Sequence, residues 1–292
     1  MKRTISGILF GLLFLIGLGV LIYPTVSNQW NTYRQSKLIS NYQEVVKEMK
    51  EQDFTDEWIL ARSFNDTIKY DALYSDAFGT SDTDMTETEY WRVLNVARDG
   101  VMGYLSIPKV KVKLAIYHGT EETVLQTGIG HINGTKLPIG GVSTHCVLSG
   151  HRGLPTAKLF TDLDQMQPGD VFYIHVLDET FAYQVDQISD MVDKNDAEAL
   201  SAALAVEEGE DYVTLFTCTP YGVNTHRLLV RGSRIPYVEE EEPVVSTVPE
   251  AMLESVQNYY MIYMILGLSA TVLGIIIIRV IFRIRRKSQI QK

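Results

Sequence analysis

Cys218 is the residue on which a chemistry can be built. It closes the apolar run Val213-Thr214-Leu215-Phe216-Thr217-Cys218, and Thr219-Pro220-Tyr221-Gly222 follows at once. A thiol at the end of a strand is fixed in position yet can be open to solvent. Arg227, nine residues on, begins the next β-like run. If the two runs pair as a hairpin, Cys218 and Arg227 face each other across the mouth of the loop. A permanent cation there favours thiolate over thiol, lowering a pKa from about 8.5, and can hydrogen-bond the oxyanion formed when sulfur attacks a carbonyl.

A thiol nucleophile also needs an acid and base, and six histidines compete: His118, His131, His145, His151, His175 and His226. His151 is the best placed. It follows a β-like run within Ser149-Gly150-His151-Arg152-Gly153, where flanking glycines permit a tight turn and leave the ring exposed. The ordinary reading of a lone histidine is a surface or hydrogen-bonded structural residue, and spacing alone leaves both readings of His151 open. The other cysteine, Cys146, lies in the strand before it. Regular alternation puts residues 145, 147, 149 and 151 on one face and Cys146 on the other, so a buried, inert thiol is expected there rather than a disulfide with Cys218.

The elements that must position these groups are short and β-like from Gly103 onward. Runs over Tyr104 to Ile107, Val110 to Tyr117, Thr144 to Leu148, Val171 to Val176, Thr180 to Ile188, Tyr212 to Thr217 and Leu228 to Ile235 alternate with turn signals such as His118-Gly119, Asn133-Gly134, Gly140-Gly141 and Pro168-Gly169-Asp170. Seven or eight such strands predict a closed all-β barrel or a sandwich. Asp196 to Val206, rich in Ala and Leu, is expected to be a helix capped by Asn195. Upstream, Ser27 to Met49 and Trp58 to Tyr74 have near-helical spacing and read as a helical stalk and cap, and residues 76–88 read as an exposed loop.

Two stretches are too apolar for a soluble domain. Residues 5–23 and 259–278 carry no charge, and at about 1.5 Å per residue each reaches roughly 30 Å, the thickness of a bilayer's hydrocarbon core. Eight basic residues, Lys2, Arg3, Arg279, Arg283, Arg285, Arg286, Lys287 and Lys292, lie outside these spans with no acid beside them. Removing those 8 from the 26 basic residues leaves 18 against 36 acids, so residues 24–258 carry a formal charge of −18. Nucleic acid is a poor partner for such a surface. The basic flanks place both termini in the cytoplasm and the acidic middle outside, by the positive-inside rule. A cleavable signal peptide is the alternative for the N-terminus, but its apolar core is shorter and ends in small residues, whereas this one ends Val-Leu-Ile-Tyr-Pro.

Thr214-Leu215-Phe216-Thr217-Cys218 with Arg227 downstream resembles the signature of sortases, and Ser149-Gly150-His151-Arg152-Gly153-Leu154-Pro155 resembles their histidine motif. The resemblance runs from about Ala61 to Tyr237 and includes Ile116-Tyr117-His118-Gly119-Thr120, Gly128-Ile129-Gly130-His131 and Leu137-Pro138-Ile139-Gly140-Gly141. It is strongest to the class C, pilus-assembling sortases, which the C-terminal span and a lid-like segment also suggest. The resemblance implies an eight-stranded sortase β-barrel, and with the cap, the lid-like segment and the two apolar spans read above the expected architecture is a closed all-β barrel with an N-terminal helical cap and lid and two flanking transmembrane helices. It implies a cysteine transpeptidase in which Cys218 attacks the Thr-Gly amide of an LPxTG-type signal, His151 moves protons and Arg227 holds the oxyanion. The acceptor would be a lysine amine on a pilin. Neither cofactor nor metal is expected, since the acids around Asp190 to Glu198 and Glu207 to Asp211 lack a recognisable calcium-loop pattern.

The chain then divides into a cytoplasmic tail (1–4), a span (5–23), the stalk and cap (24–75), the lid loop (76–88), the catalytic barrel (89–237), an acidic linker (238–258), a second span (259–278) and a basic cytoplasmic tail (279–292). Within the lid loop Asp76-Ala77-Phe78 resembles the Asp-Pro-aromatic lid of the class. Alanine replaces proline, which removes a fixed φ and weakens the case for a rigid lid. Phe78 would cover Cys218 while Asp76 pairs with a nearby cation. Three other readings compete: a non-catalytic membrane-anchored scaffold, a housekeeping sortase that anchors proteins to peptidoglycan, and a thiol hydrolase using water.

Overall fold

The computed structural model describes residues 2–68, 88–239 and 279. The chain forms two compact units, Met1–Val245 and Ser246–Lys292, and of the second only Arg279 is described. The first unit is a closed barrel of eight strands: β1 (Val101–Ile107), β2 (Val112–His118), β3 (Ile129–His131), β4 (Thr144–Ser149), β5 (Val171–Val176), β6 (Glu179–Asp193), β7 (Asp211–Thr219) and β8 (His226–Ile235). Around the barrel the order is β1-β2-β3-β4-β7-β8-β6-β5, with β5 returning to β1. Most neighbours are antiparallel. The pairs β2/β3 and β4/β7 are parallel, and the second brings the ends of two distant strands to one rim.

Alternation divides these strands between an inside and an outside. Cys146 and Leu148 of β4, Val213 and Leu215 of β7, and Leu228 and Val230 of β8 fill the barrel's core with Leu105, Ile116, Phe172 and Tyr183. Val147, Phe216 and Leu229, one residue out of phase, form a separate cluster under α5 (Ala197–Ala203) through Leu200 and Leu204. That helix is shorter than the Asp196 to Val206 expected. Its cap is Asp196, whose side chain accepts from Ala199 N, rather than Asn195, whose own backbone N–H is drawn to Asp193.

The expected stalk and cap are two helices. α1 (Lys2–Glu48) is a single element with Pro24 inside it. Its C-terminal half lies on the barrel through buried Ile39 and Tyr42, and the Tyr42 hydroxyl donates to Met102 O (3.1 Å) while accepting from Leu177 N (2.7 Å). α2 (Glu51–Thr67) adds Trp58 and Ala61 to the barrel's core, with Trp58 Nε1 donating to Asp178 (3.0 Å). A short helix, α3 (Glu89–Arg92), supplies buried Tyr90. Among the described residues no helix is long and apolar enough to cross a membrane. Residues 259–278 and the lid segment with Asp76 and Phe78 lie outside the described residues.

Candidate active site

β7 and β8 pair in the register that alternation predicts, with Cys218 directly opposite Arg227 and Thr219 opposite His226. Both residues continue the outward phase set by Phe216 and Leu229, beside the α5 cluster, but Cys218 is buried, 5% exposed, rather than open to solvent as its place at a strand end suggested. Arg227 is buried, and its guanidinium Nη1 donates to the carbonyls of Asn224 (3.1 Å) in the β7–β8 loop and His226 (2.8 Å) at the start of β8. A buried cation so tethered is fixed in place on the strand position opposite Cys218. The loop itself is closed by Val223 and Asn224, whose N–H groups both donate to Pro220 O at 3.0 Å.

His151 reaches the same rim by a different route. β4 runs parallel to β7, Ser149 level with Phe216, and the pairing continues as Gly150 N donates to Phe216 O (3.1 Å) and Thr217 Oγ1 donates to Gly150 O (2.6 Å). The residues just before Cys218 and just before His151 are therefore tied to each other. The backbone of His151 is held from the other side because its carbonyl accepts from Phe160 N (3.1 Å). Gly150 is required for closeness rather than for an unusual φ: a Cβ there would stand 2.8 Å from the Phe160 ring and 2.9 Å from Ile129. Gly153 has φ +82°, and a Cβ there would meet the Tyr221 ring at 3.1 Å.

Two residues whose roles do not show in local sequence complete the site. Arg152 joins the histidine loop to the end of β7, with Nη1 donating to Thr219 Oγ1 (3.3 Å), Nε donating to Thr161 O (3.3 Å) and Nη2 paired with Asp164. Glu122, in the short helix α4 (Glu122–Leu125), places Oε2 3.6 Å from His151 Nε2. Burial lowers the His151 pKa below its ordinary value, and the Glu122 carboxylate opposes that shift.

The other histidines divide as structural residues do. His118, His131 and His145 are fully buried and hydrogen-bonded, and burial lowers the pKa of each. His131 donates from Nε2 to Lys136 O and accepts at Nδ1 from Tyr90, both at 2.8 Å, which fixes a neutral tautomer. His175 stacks on Tyr104, and His226 contacts Thr225. Cys146 faces the core, is not in a disulfide, and has its thiol pKa pushed well up by burial. Among the described residues no group of three or more His, Cys, Asp and Glu is arranged to hold a metal ion.

Residues 105–235 match the family model described as the sortase domain. Among solved structures, the chain is similar to sortase C of Streptococcus pneumoniae, at 43% identity and a TM-score of 0.63, covering 70% of this chain and 98% of that one. It is also similar to sortase C1 of Streptococcus agalactiae, at 46% identity and a TM-score of 0.61, covering 69% of this chain and all of that one. Sortase A of Bacillus anthracis is 25% identical over 80% of this chain and 96% of its own length.

Proposed function

The chain belongs to the sortase family of cysteine transpeptidases, and from that membership we propose that it cleaves an LPxTG-type sorting signal between Thr and Gly and joins the new acyl group to a lysine amine of a pilin. The observation that carries this reading is the convergence of Cys218, Arg227 and His151 on one outer rim through the β7/β8 and β4/β7 pairings. Cys218 sulfur adds to the Thr carbonyl, and the oxyanion develops beside the Arg227 guanidinium. As the Thr–Gly C–N bond breaks, protonated His151 gives its proton to the departing amine. The thioester that remains stores the acyl group. A lysine amine then attacks it, His151 takes the amine's proton, and the sulfur leaves as an isopeptide forms.

The greater identity to the streptococcal sortase C structures than to the Bacillus sortase A favours pilin over peptidoglycan as acceptor. The pneumococcal enzyme is one with pilin substrate specificity. Membrane anchoring, with the barrel outside and both termini in the cytoplasm, is supported by the run of exposed apolar side chains in α1 that includes Phe14, Leu15, Ile16, Val20 and Leu21 and by the basic flanks. Asp76 and Phe78 are proposed to gate the thiol. Mixing the full chain with a labelled LPxTG peptide and one of three acceptors tests the assignment. A product with a pilin-derived lysine supports it, a product only with a peptidoglycan-type amine favours a housekeeping role, and hydrolysis alone favours a hydrolase.

A further inference from the structure

Glu122 stands outside both the thiol hairpin and the histidine loop, and it is distant from them in sequence. At 3.6 Å its contact with His151 Nε2 is Coulombic rather than a hydrogen bond, so it acts fully only when the ring carries a proton. The carboxylate is oriented from within its own turn. Its Oε1 accepts from Gln126 Nε2, and the backbone of that turn is closed by Leu125 N to Glu121 O (3.0 Å) and Gln126 N to Glu122 O (2.9 Å). Leu125, between them, is fully buried and anchors the turn to the body of the protein. The result is a carboxylate with one oxygen occupied and the other directed at the histidine.

We propose that Glu122, oriented by Gln126, is a positioning residue for transpeptidation: its charge, 3.6 Å from Nε2, favours the imidazolium and keeps a proton on Nε2, leaving Nδ1 to exchange protons with the amines. The inference rests on His151 being the acid and base of the proposed reaction. The proton balance follows directly. The imidazolium loses its Nδ1 proton to the leaving amine as the C–N bond breaks, and the neutral ring that remains is the Nε2–H tautomer. Its Nδ1 lone pair then accepts the proton of the attacking lysine amine. Throughout, the proton beside Glu122 stays where it is. Without this carboxylate, burial would favour the neutral ring and deplete the acid. The neighbouring elements also carry Glu121 in the same connection as Glu122, Cys218 on β7, Arg227 on β8 and Arg152 next to His151 in its own loop, while Glu122 is the charged group that acts on the ring. Arg152 is paired with Asp164, and Arg227 donates to backbone carbonyls, so both cations already have other partners.

Glu122→Gln removes the charge and keeps the shape, and because the side chain is 64% exposed the variant should fold. The full chain in detergent, carrying Cys218→Ala and labelled histidine, gives the His151 titration by NMR, with His151→Gln assigning the signal. The His151 pKa is expected to fall by about 0.5 to 1 unit in Glu122→Gln, as suits a partner 3.6 Å away and well exposed to solvent, and the difference to shrink with salt. With Cys218 restored, kcat for peptide cleavage is expected to fall about 3- to 10-fold above that pKa with KM unchanged, and Glu122→Asp to recover part of it. Identical His151 titrations with and without Glu122 would overturn the inference, as would a loss of rate that is uniform across pH. The titration reads the inference even if the peptide is not a substrate, whereas activity retained by Cys218→Ala would overturn the function and leave the titration standing.

Discussion

Thr217→Val perturbs the tie between the two halves of the site while changing the volume of neither. Thr217 is fully buried and its hydroxyl donates to Gly150 O at 2.6 Å, one residue from Cys218 at one end and one residue from His151 at the other. Valine fills the same space but leaves the Gly150 carbonyl without this donor. Loss of a buried hydrogen bond with one partner stranded costs about 1 to 3 kcal/mol. In a domain of this size that corresponds to a fall in Tm of about 3 to 10 °C. The histidine loop keeps its backbone bond from Gly150 N to Phe216 O, so the fold should survive and the rim should loosen. A small displacement of the ring from the reacting atoms is expected to lower kcat about 10-fold with little change in KM. Thr217→Ser, which retains the donor, should keep most of the rate. Thermal unfolding and peptide-cleavage kinetics on the three proteins decide the matter. A valine variant with unchanged Tm and turnover would mean that this hydroxyl ties nothing together.

Arg227→Ala is expected to cost at least about 10²-fold in kcat, the usual scale for an oxyanion donor, and Arg227→Lys to recover only part of it because one point charge cannot reproduce the planar fork; near-normal turnover by the alanine variant would remove the oxyanion role. Acid should destabilise the barrel through its buried histidines. His131 has its folded-state pKa lowered to about 4 from an ordinary value near 6.5, so its contribution is fully present above about pH 6.5 and is lost as pH falls toward 4. His131 alone gives a slope of about 1.4 kcal/mol per pH unit inside that window, and urea denaturation should show a steeper fall because His118 and His145 act in the same direction. A flat profile between about pH 4.5 and 6.5 would contradict this. For the lid, Asp76→Ala with Phe78→Ala should speed thiol-reagent labelling of Cys218 by about 2- to 10-fold while Cys146 stays slow in both proteins; equal Cys218 rates would make residues 76–78 a surface loop.

The parts of the site that are legible in the sequence are those governed by short-range periodicity. The register of Cys218 with Arg227 follows from a hairpin whose arms alternate regularly, and the inward direction of Cys146 follows from the same period of two. His151 can be nominated from its glycines, but its meeting with Cys218 depends on the parallel β4/β7 pairing, a contact that no local pattern encodes. β3 does not show as a strand because its three residues, Ile129-Gly130-His131, are too few to display alternation, although they belong to a recognisable motif. The cap of α5 lies one residue from its expected place because Asn195 and Asp196 are both good caps and the choice lies in which side chain reaches Ala199 N. Glu122 is illegible for a stronger reason. Charged side chains at helix ends are common, and only the closure of the barrel brings this one to His151.

Trapping the acyl-enzyme puts the proposed nucleophile to the sharpest test. The full chain, mixed with an LPxTG peptide and no amine acceptor and quenched in acid, should carry the peptide up to its threonine as a thioester on the fragment that contains Cys218. Addition of a lysine amine before the quench should discharge the adduct into an isopeptide product. An adduct on any other residue, or full turnover by Cys218→Ala, would overturn the assignment of Cys218 as the acyl carrier.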